Sequence, residues 1–322
     1  MSTSKAKSTR LPDFFVVGAV KAGTTALHLF LDQHPGVYMS PVKETNFFSQ
    51  EDMTPEHFNR DYKHDVNVDL KGFLAGPMSK KIHIANVAQW EDYKRLFRDV
   101  RDDQVAGEAS NSYLLCPTAA AQVAAKCPGA KIMMMLRNPV DRAWSQYLMN
   151  VRLGKILSED FIEEFEADSN KEYQGWGVSH NYRELGMYSA QLQRFYDHFP
   201  KQNVKVLLYD DYRANPEAVV RNIFGFLGVD TDVALDLDQR PNEAAVPRFK
   251  KLNYILFQSG LVNRVKRMVP ESWKGAAKKA MFSKDGIPKI TEREKQFLRD
   301  LYREDIGKLG QLLDRDLSHW LD

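Results

Sequence analysis

Gly18-Ala19-Val20-Lys21-Ala22-Gly23-Thr24-Thr25 is the segment whose residue types could act most directly on a substrate. Two glycines permit a tight backbone turn. Amides in such a turn can converge on an anion, and the positive end of a following helix supports them. A Walker A loop reads G-x-x-x-x-G-K-[ST], with lysine beside the second glycine. Here Thr24 takes that place and the lysine stands earlier, at position 21. No well-placed Walker B aspartate follows, because the apolar run 132–136 ends in Arg137. A magnesium nucleoside triphosphate is therefore poorly served, and an anion held without metal is served well.

A second group of such residues lies far along the chain, in Leu136-Arg137-Asn138-Pro139-Val140-Asp141-Arg142-Ala143-Trp144-Ser145-Gln146-Tyr147. Arg137 stands at a predicted strand end. Asn138 suits a helix cap and Pro139 the first helical position. Ser145 follows two turns along that helix. A guanidinium fork and a hydroxyl suit a phosphate neutralised without metal.

Together the two motifs resemble the PAPS-dependent sulfotransferase family, where PAPS is 3′-phosphoadenosine-5′-phosphosulfate. The similarity is to its bacterial type and to heparan sulfate and other glycan sulfotransferase domains. Phe15-Val16-Val17-Gly18 with Lys21-Ala22-Gly23-Thr24-Thr25 is similar to the family's 5′-phosphosulfate loop, and 136–147 to its 3′-phosphate motif. The resemblance implies in-line sulfuryl transfer from PAPS to a hydroxyl or amine of a polar small-molecule or glycan-like acceptor. PAP would be the product, and no metal would be required. Lys21, Ala22, Gly23, Thr24, Thr25 and Ala26 would hold the 5′ group, and Arg137 and Ser145 the 3′ phosphate. By analogy with phosphoryl transfer, Lys21 would stabilise charge on the leaving phosphate.

Lys43-Glu44-Thr45-Asn46-Phe47-Phe48 resembles the K-E-x-x-F-F stretch of heparan sulfate sulfotransferases, which implies Glu44 as general base. Glu108 is a second carboxylate, able to face the pocket or to serve an ion pair. Cytosolic small-molecule members use histidine instead. His34 belongs to a helix-ending turn, and no motif surrounds His83 or His180. A family loop that closes over the 3′ phosphate would bring in Arg248, Lys250 or Lys251. The alternative there is an amphipathic helix, because Leu252, Ile255, Leu256, Leu261 and Val265 have core spacing. Two other functions stay open: a P-loop nucleotide kinase or phosphotransferase, and a non-catalytic nucleotide-binding protein of the same fold.

Elements that position these residues follow from the apolar pattern. Strands are predicted at 14–18, 37–39, 131–136 and 204–209. Helices are predicted from Thr24 towards His34, over 88–98, from Pro139 to Gly154, over 182–199 and up to Gly228. A last helix starts at Thr291, with Glu294 completing a capping box. Residues 41–48 read as a loop, and 50–81 as an irregular insertion. Strands alternating with helices predict an α/β fold, a P-loop-like central parallel sheet with helices on both faces. The chain reads as a disordered arm over 1–10 and a single domain over 11–322. That domain carries an insertion near 50–100 and a basic helical segment near 248–284.

Composition bounds the rest. Across 322 residues, 45 Lys and Arg face 43 Asp and Glu, a net charge of +2 that argues against a general nucleic-acid binder. The basic segment holds ten Lys or Arg against Glu271 alone. Two cysteines, Cys116 and Cys127, favour packing in a reducing compartment over a disulfide framework. The basic N-terminus lacks a signal-peptide core, and no apolar run nears the ~18 residues that span a membrane. A cytoplasmic location is therefore expected. Oligomeric state is not legible.

Overall fold

A computed structural model describes residues 10–237, 245–259, 261, 281–283 and 286–322. Five strands build the central sheet: β1 (Phe14–Gly18), β2 (Val37–Met39), β5 (Val105–Ala109), β6 (Lys131–Leu136) and β7 (Val204–Leu208). Their order is β2-β5-β1-β6-β7, and every pairing is parallel. Phe14, Phe15, Val16 and Val17 are all at most 1% exposed. Successive strand residues point to opposite faces, so both faces of β1 are covered. Phe14 lies opposite Gly107 on β5, where an added Cβ would come within 2.0 Å of the Phe14 ring. The glycine is there for that close approach.

The order places a reversal between β1 and β6. After β1 the chain crosses to β2 on one side, and after β6 it crosses to β7 on the other. In open α/β sheets such a switch point leaves a crevice at the carboxyl ends of the strands, where ligands bind. Residues 18–25 and Arg137 both leave their strands at that crevice.

Several elements differ from the sequence expectation. The stretch 41–48 contains a short strand, β3 (Val42–Glu44), paired in parallel with β4 (Ile82–Ile84). Three-residue strands carry too little alternation to stand out. The insertion contains two short helices, Arg60–Asp65 and Leu70–Ala75. The helix predicted over 182–199 starts only at Tyr188, after a turn of 3₁₀ helix at Glu184–Gly186. Arg10, assigned to the disordered arm, bonds the carbonyls of Arg101 and Gln104 and pairs with Asp13 at 3.0 Å. The remaining arm, 1–9, lies outside the described residues.

In the basic segment the helix runs over Lys250–Gln258, but its leucines do not form the core. Leu252 is 51% exposed, Ile255 60% and Leu261 41%. Asn253 is buried instead, donating to the Arg152 carbonyl at 3.0 Å, with its own carbonyl close against Gly154. A glycine helix end admits this polar docking, which spacing alone could not show. Val265 and most of 260–285 lie outside the described residues. Among the described residues no helix is long and apolar enough to cross a membrane. Both cysteines are free and buried, and burial pushes each thiol up to about 12.

Candidate active site

Residues 19–23 turn tightly from β1 into the helix Thr24–Gln33. The Ala19 amide stays bonded to the Met135 carbonyl of β6 at 2.9 Å, and the Ala22 amide closes on Ala19 at 3.2 Å. Lys21 and Gly23 adopt positive φ, 66° and 97°. At Gly23 an added Cβ would also press on Met135 and the Tyr209 ring, at 3.2 and 3.3 Å. No side chain caps the helix start. The first amide bond within this turn is Leu27 to Gly23, at 3.1 Å. The amides of Gly23, Thr24, Thr25 and Ala26 therefore keep their donors free among the described residues, as a helix start does unless capped. Thr24 is buried and Thr25 half-buried at this start.

The Pro139–Leu153 helix forms the opposite wall. Asn138 caps it by accepting from the Val140 amide at 3.0 Å, and Gly154 ends it with φ 77°. Ser145, Met149 and Arg152 fall at i, i+4 and i+7, one stripe of this helix. Lys21 Nζ lies 3.5 Å from Met149 Sδ, so the stripe that carries Ser145 faces the loop. The Ser145 hydroxyl has no hydrogen-bond partner among the described residues. Arg137 donates to the Lys21 carbonyl at 3.3 Å and lies over the Tyr209 ring at 4.9 Å. Asp141 approaches it only to 3.7 Å, and its buried Nε has no partner.

Positive charge accumulates here. Lys21 has no carboxylate partner among the described residues. Burial, then Arg152, Arg137 and Arg142, pulls its ammonium down from its ordinary 10.5 to about 8. Arg142 is fully buried without a carboxylate partner among the described residues, donating to Gln146 at 2.7 Å and to the Tyr182 carbonyl at 2.6 Å. A buried lysine with no carboxylate partner among the described residues, beside arginines and open amides, is costly unless an anion arrives. Sequence reasoning missed Arg142 and Arg152. The only signal for Arg142 was Gln146 one turn on.

Glu44 stands at the end of β3 and is buried. Lys43 Nζ pairs with its Oε1. Asn111 donates twice, from Nδ2 to Oε1 at 2.6 Å and from its amide to Oε2 at 2.7 Å. Glu108 is neither pocket-facing nor ion-paired. It is fully buried and accepts from Thr45, Tyr93, Ser110 and Tyr113 hydroxyls at 2.5–3.0 Å. Burial pushes its carboxyl up to about 7 against those four bonds. Ser110 ties the two halves together. Its amide bonds the Val16 carbonyl of β1 at 3.0 Å, and its hydroxyl accepts from the Thr45 and Asn46 amides at 3.0 and 3.2 Å.

The histidines take no such place. His34 bonds the Gly36 amide and the Asp230 carbonyl, a structural role. His180 stands 3.9 Å from Glu164, and burial pulls it down to about 4. His83 lies exposed on β4, opposite Lys43. Arg248 and Lys250 are not bonded to the loop or to Arg137. Lys250 approaches Glu159 at 3.5 Å, and Arg248 is exposed.

Residues 12–233 match the model of a sulfotransferase family. The human bifunctional heparan sulfate N-deacetylase/N-sulfotransferase 2 is 29% identical over 222 residues, which cover 68% of this chain and 22% of that protein. Rat carbohydrate sulfotransferase 15 is 24% identical over 256 residues, 68% of this chain and 44% of its own. The chain thus spans less than half the length of these curated relatives. Among solved structures, a sulfotransferase from Alicyclobacillus acidocaldarius superposes with TM-score 0.70 at 29% identity, covering 97% of this chain and 100% of that one.

Proposed function

The chain belongs to the sulfotransferase family, and from that premise we propose that it moves a sulfuryl group from PAPS to a hydroxyl or amine of a polar small-molecule or glycan-like acceptor. One observation carries this reading. Open amides at the Thr24–Gln33 helix start meet Lys21, Arg137, Arg142 and Arg152, and no carboxylate pairs with Lys21 among the described residues. Such a cradle suits a ligand with two separated anionic groups.

In this mechanism the amides of Gly23 to Ala26 and the hydroxyls of Thr24 and Thr25 hold the 5′ phosphate. Arg137 and Ser145 take the 3′ phosphate, with the Arg137 guanidinium over the Tyr209 ring. The acceptor oxygen or nitrogen attacks sulfur in line and gives its proton to Glu44. The S–O bond to the 5′ phosphate breaks, and its electron pair stays on the phosphate oxygen of PAP. Lys21 meets that growing charge, so transfer needs positioning and electrostatics rather than a covalent intermediate. A glycan-like acceptor draws support from the names of the human and rat relatives, which mention heparan sulfate and carbohydrate. Lys250 approaches Glu159 instead and Arg248 is exposed, so their part in holding the 3′ phosphate rests on the family resemblance alone.

The test is turnover of labelled PAPS against a panel of sugar, phenol, alcohol and amine acceptors. Wild type should label at least one of them, and Lys21→Ala should lose roughly 10²–10³ in rate while staying folded. A Lys21→Ala variant with the wild-type rate would remove Lys21 from the mechanism.

A further inference from the structure

Glu44 is held by more than its neighbour in sequence, and the pattern of its bonds is asymmetric. A carboxylate offers about four lone-pair sites, two on each oxygen. Oε1 already receives Lys43 Nζ and Asn111 Nδ2, whereas Oε2 receives only the Asn111 amide. Among the described residues, one lone pair is thus open, and it is on Oε2. The geometry points to Asn111 as the positioning residue for proton transfer: by occupying Oε1 with its side chain and half of Oε2 with its amide, it presents the remaining Oε2 lone pair to the acceptor.

The framework around Asn111 supports this role. Four residues at the end of β5 and just after it, Glu108, Ser110, Asn111 and Ser112, bond the segment 44–46. Glu108 holds Thr45, Ser110 holds the Thr45 and Asn46 amides, Asn111 holds Glu44, and Ser112 donates to Asn46 Oδ1 at 2.8 Å. The same segment is bonded to β1 through Ser110, so the base and the lysine loop are registered on one strand exit. The amide of Asn111 survives any side-chain change, but its Nδ2 bond does not. Without that bond Oε1 keeps only the ammonium of Lys43, on its flexible stem, and Oε2 only the amide, so Glu44 is held less firmly about its last torsion.

This inference rests on Glu44 being the base, and the experiment separates the two. We would measure kcat, acceptor KM and PAP affinity for Asn111→Ala, Asn111→Asp, Glu44→Gln and Glu44→Gln/Asn111→Ala. Asn111→Ala should lower kcat at least tenfold with PAP affinity unchanged. Asn111→Asp has nearly the same shape but sets a second carboxylate against Glu44, so it should be slower still. In the Glu44→Gln background the alanine should change kcat by less than twofold, since the carboxylate it aims is gone. A merely structural role predicts losses that multiply, or a PAP affinity that falls together with kcat. Either result overturns the positioning role while leaving the base in place. If Glu44→Gln alone keeps wild-type turnover, the base assignment falls and this inference with it.

Discussion

Lys21 joins the electrostatics of the site to pH. In the free protein its ammonium is pulled down to about 8 by burial and by Arg152, Arg137 and Arg142. A bound phosphate favours the charged form and raises that value, so binding above pH 8 takes up a proton. PAP affinity should be level below pH 8 and fall by up to tenfold per pH unit above it, until the bound form also deprotonates. Calorimetric titrations across this range measure the slope, and Lys21→Ala should flatten it. An unchanged slope in the variant would place the titrating group elsewhere. Glu108 acts on stability in the opposite half of the scale. Its carboxyl moves from 4.5 to about 7, mainly through burial. The native state therefore keeps its proton longer than the unfolded chain does. This contribution is complete below pH 4.5 and is lost as pH rises through 7, by of order 3 kcal/mol. Denaturant unfolding of Glu108→Gln should lack that loss; an equal decline in both proteins would contradict it. Lys21, Arg137 and Ser145 were legible because each sits in a contiguous motif. The Glu108–Thr45 and Asn111–Glu44 bonds were not, because each joins residues more than sixty positions apart, and composition cannot say that Thr45 meets Glu108.

Among the elements, the Pro139–Leu153 helix carries Arg142, Ser145 and Arg152 and is held from behind. The Tyr188 hydroxyl donates to the Arg137 carbonyl at 3.0 Å. Tyr188 itself opens the Tyr188–His198 helix, whose start no residue of its own caps. Asp305, on the Glu292–Leu313 helix, caps it across the interface, accepting from the Tyr188 amide at 2.7 Å and the Ser189 amide at 3.2 Å. Asp305→Ala should cost about 1–2 kcal/mol in denaturant unfolding, as lost caps do. It should reduce activity only in proportion to the unfolded fraction. The Thr291–Glu294 capping box was readable because its signal is local, three residues apart. The outward turn of Leu252 and Ile255 was not, because helical spacing shows that one face is apolar without showing which face meets the core.

For the whole molecule, strand order does what the sequence only hinted at. Alternation of strands and helices implied a parallel sheet, and the order β2-β5-β1-β6-β7 adds the switch point at which two motifs more than a hundred residues apart meet. Length and charge fixed none of this, since contacts across a sheet depend on which crossover goes to which side. The central claim is that this crevice holds a nucleotide with two separate phosphate groups on open amides, a lysine and arginines, without help from a divalent ion. The most direct measurement is a calorimetric titration in chelator with PAP, with the same nucleotide lacking its 3′ phosphate, and with ATP plus magnesium. The account predicts one site for PAP, binding weakened at least tenfold when the 3′ phosphate is removed, and no tight magnesium-dependent binding of ATP. Absence of PAP binding, or ATP binding that requires magnesium and exceeds it, would contradict the account.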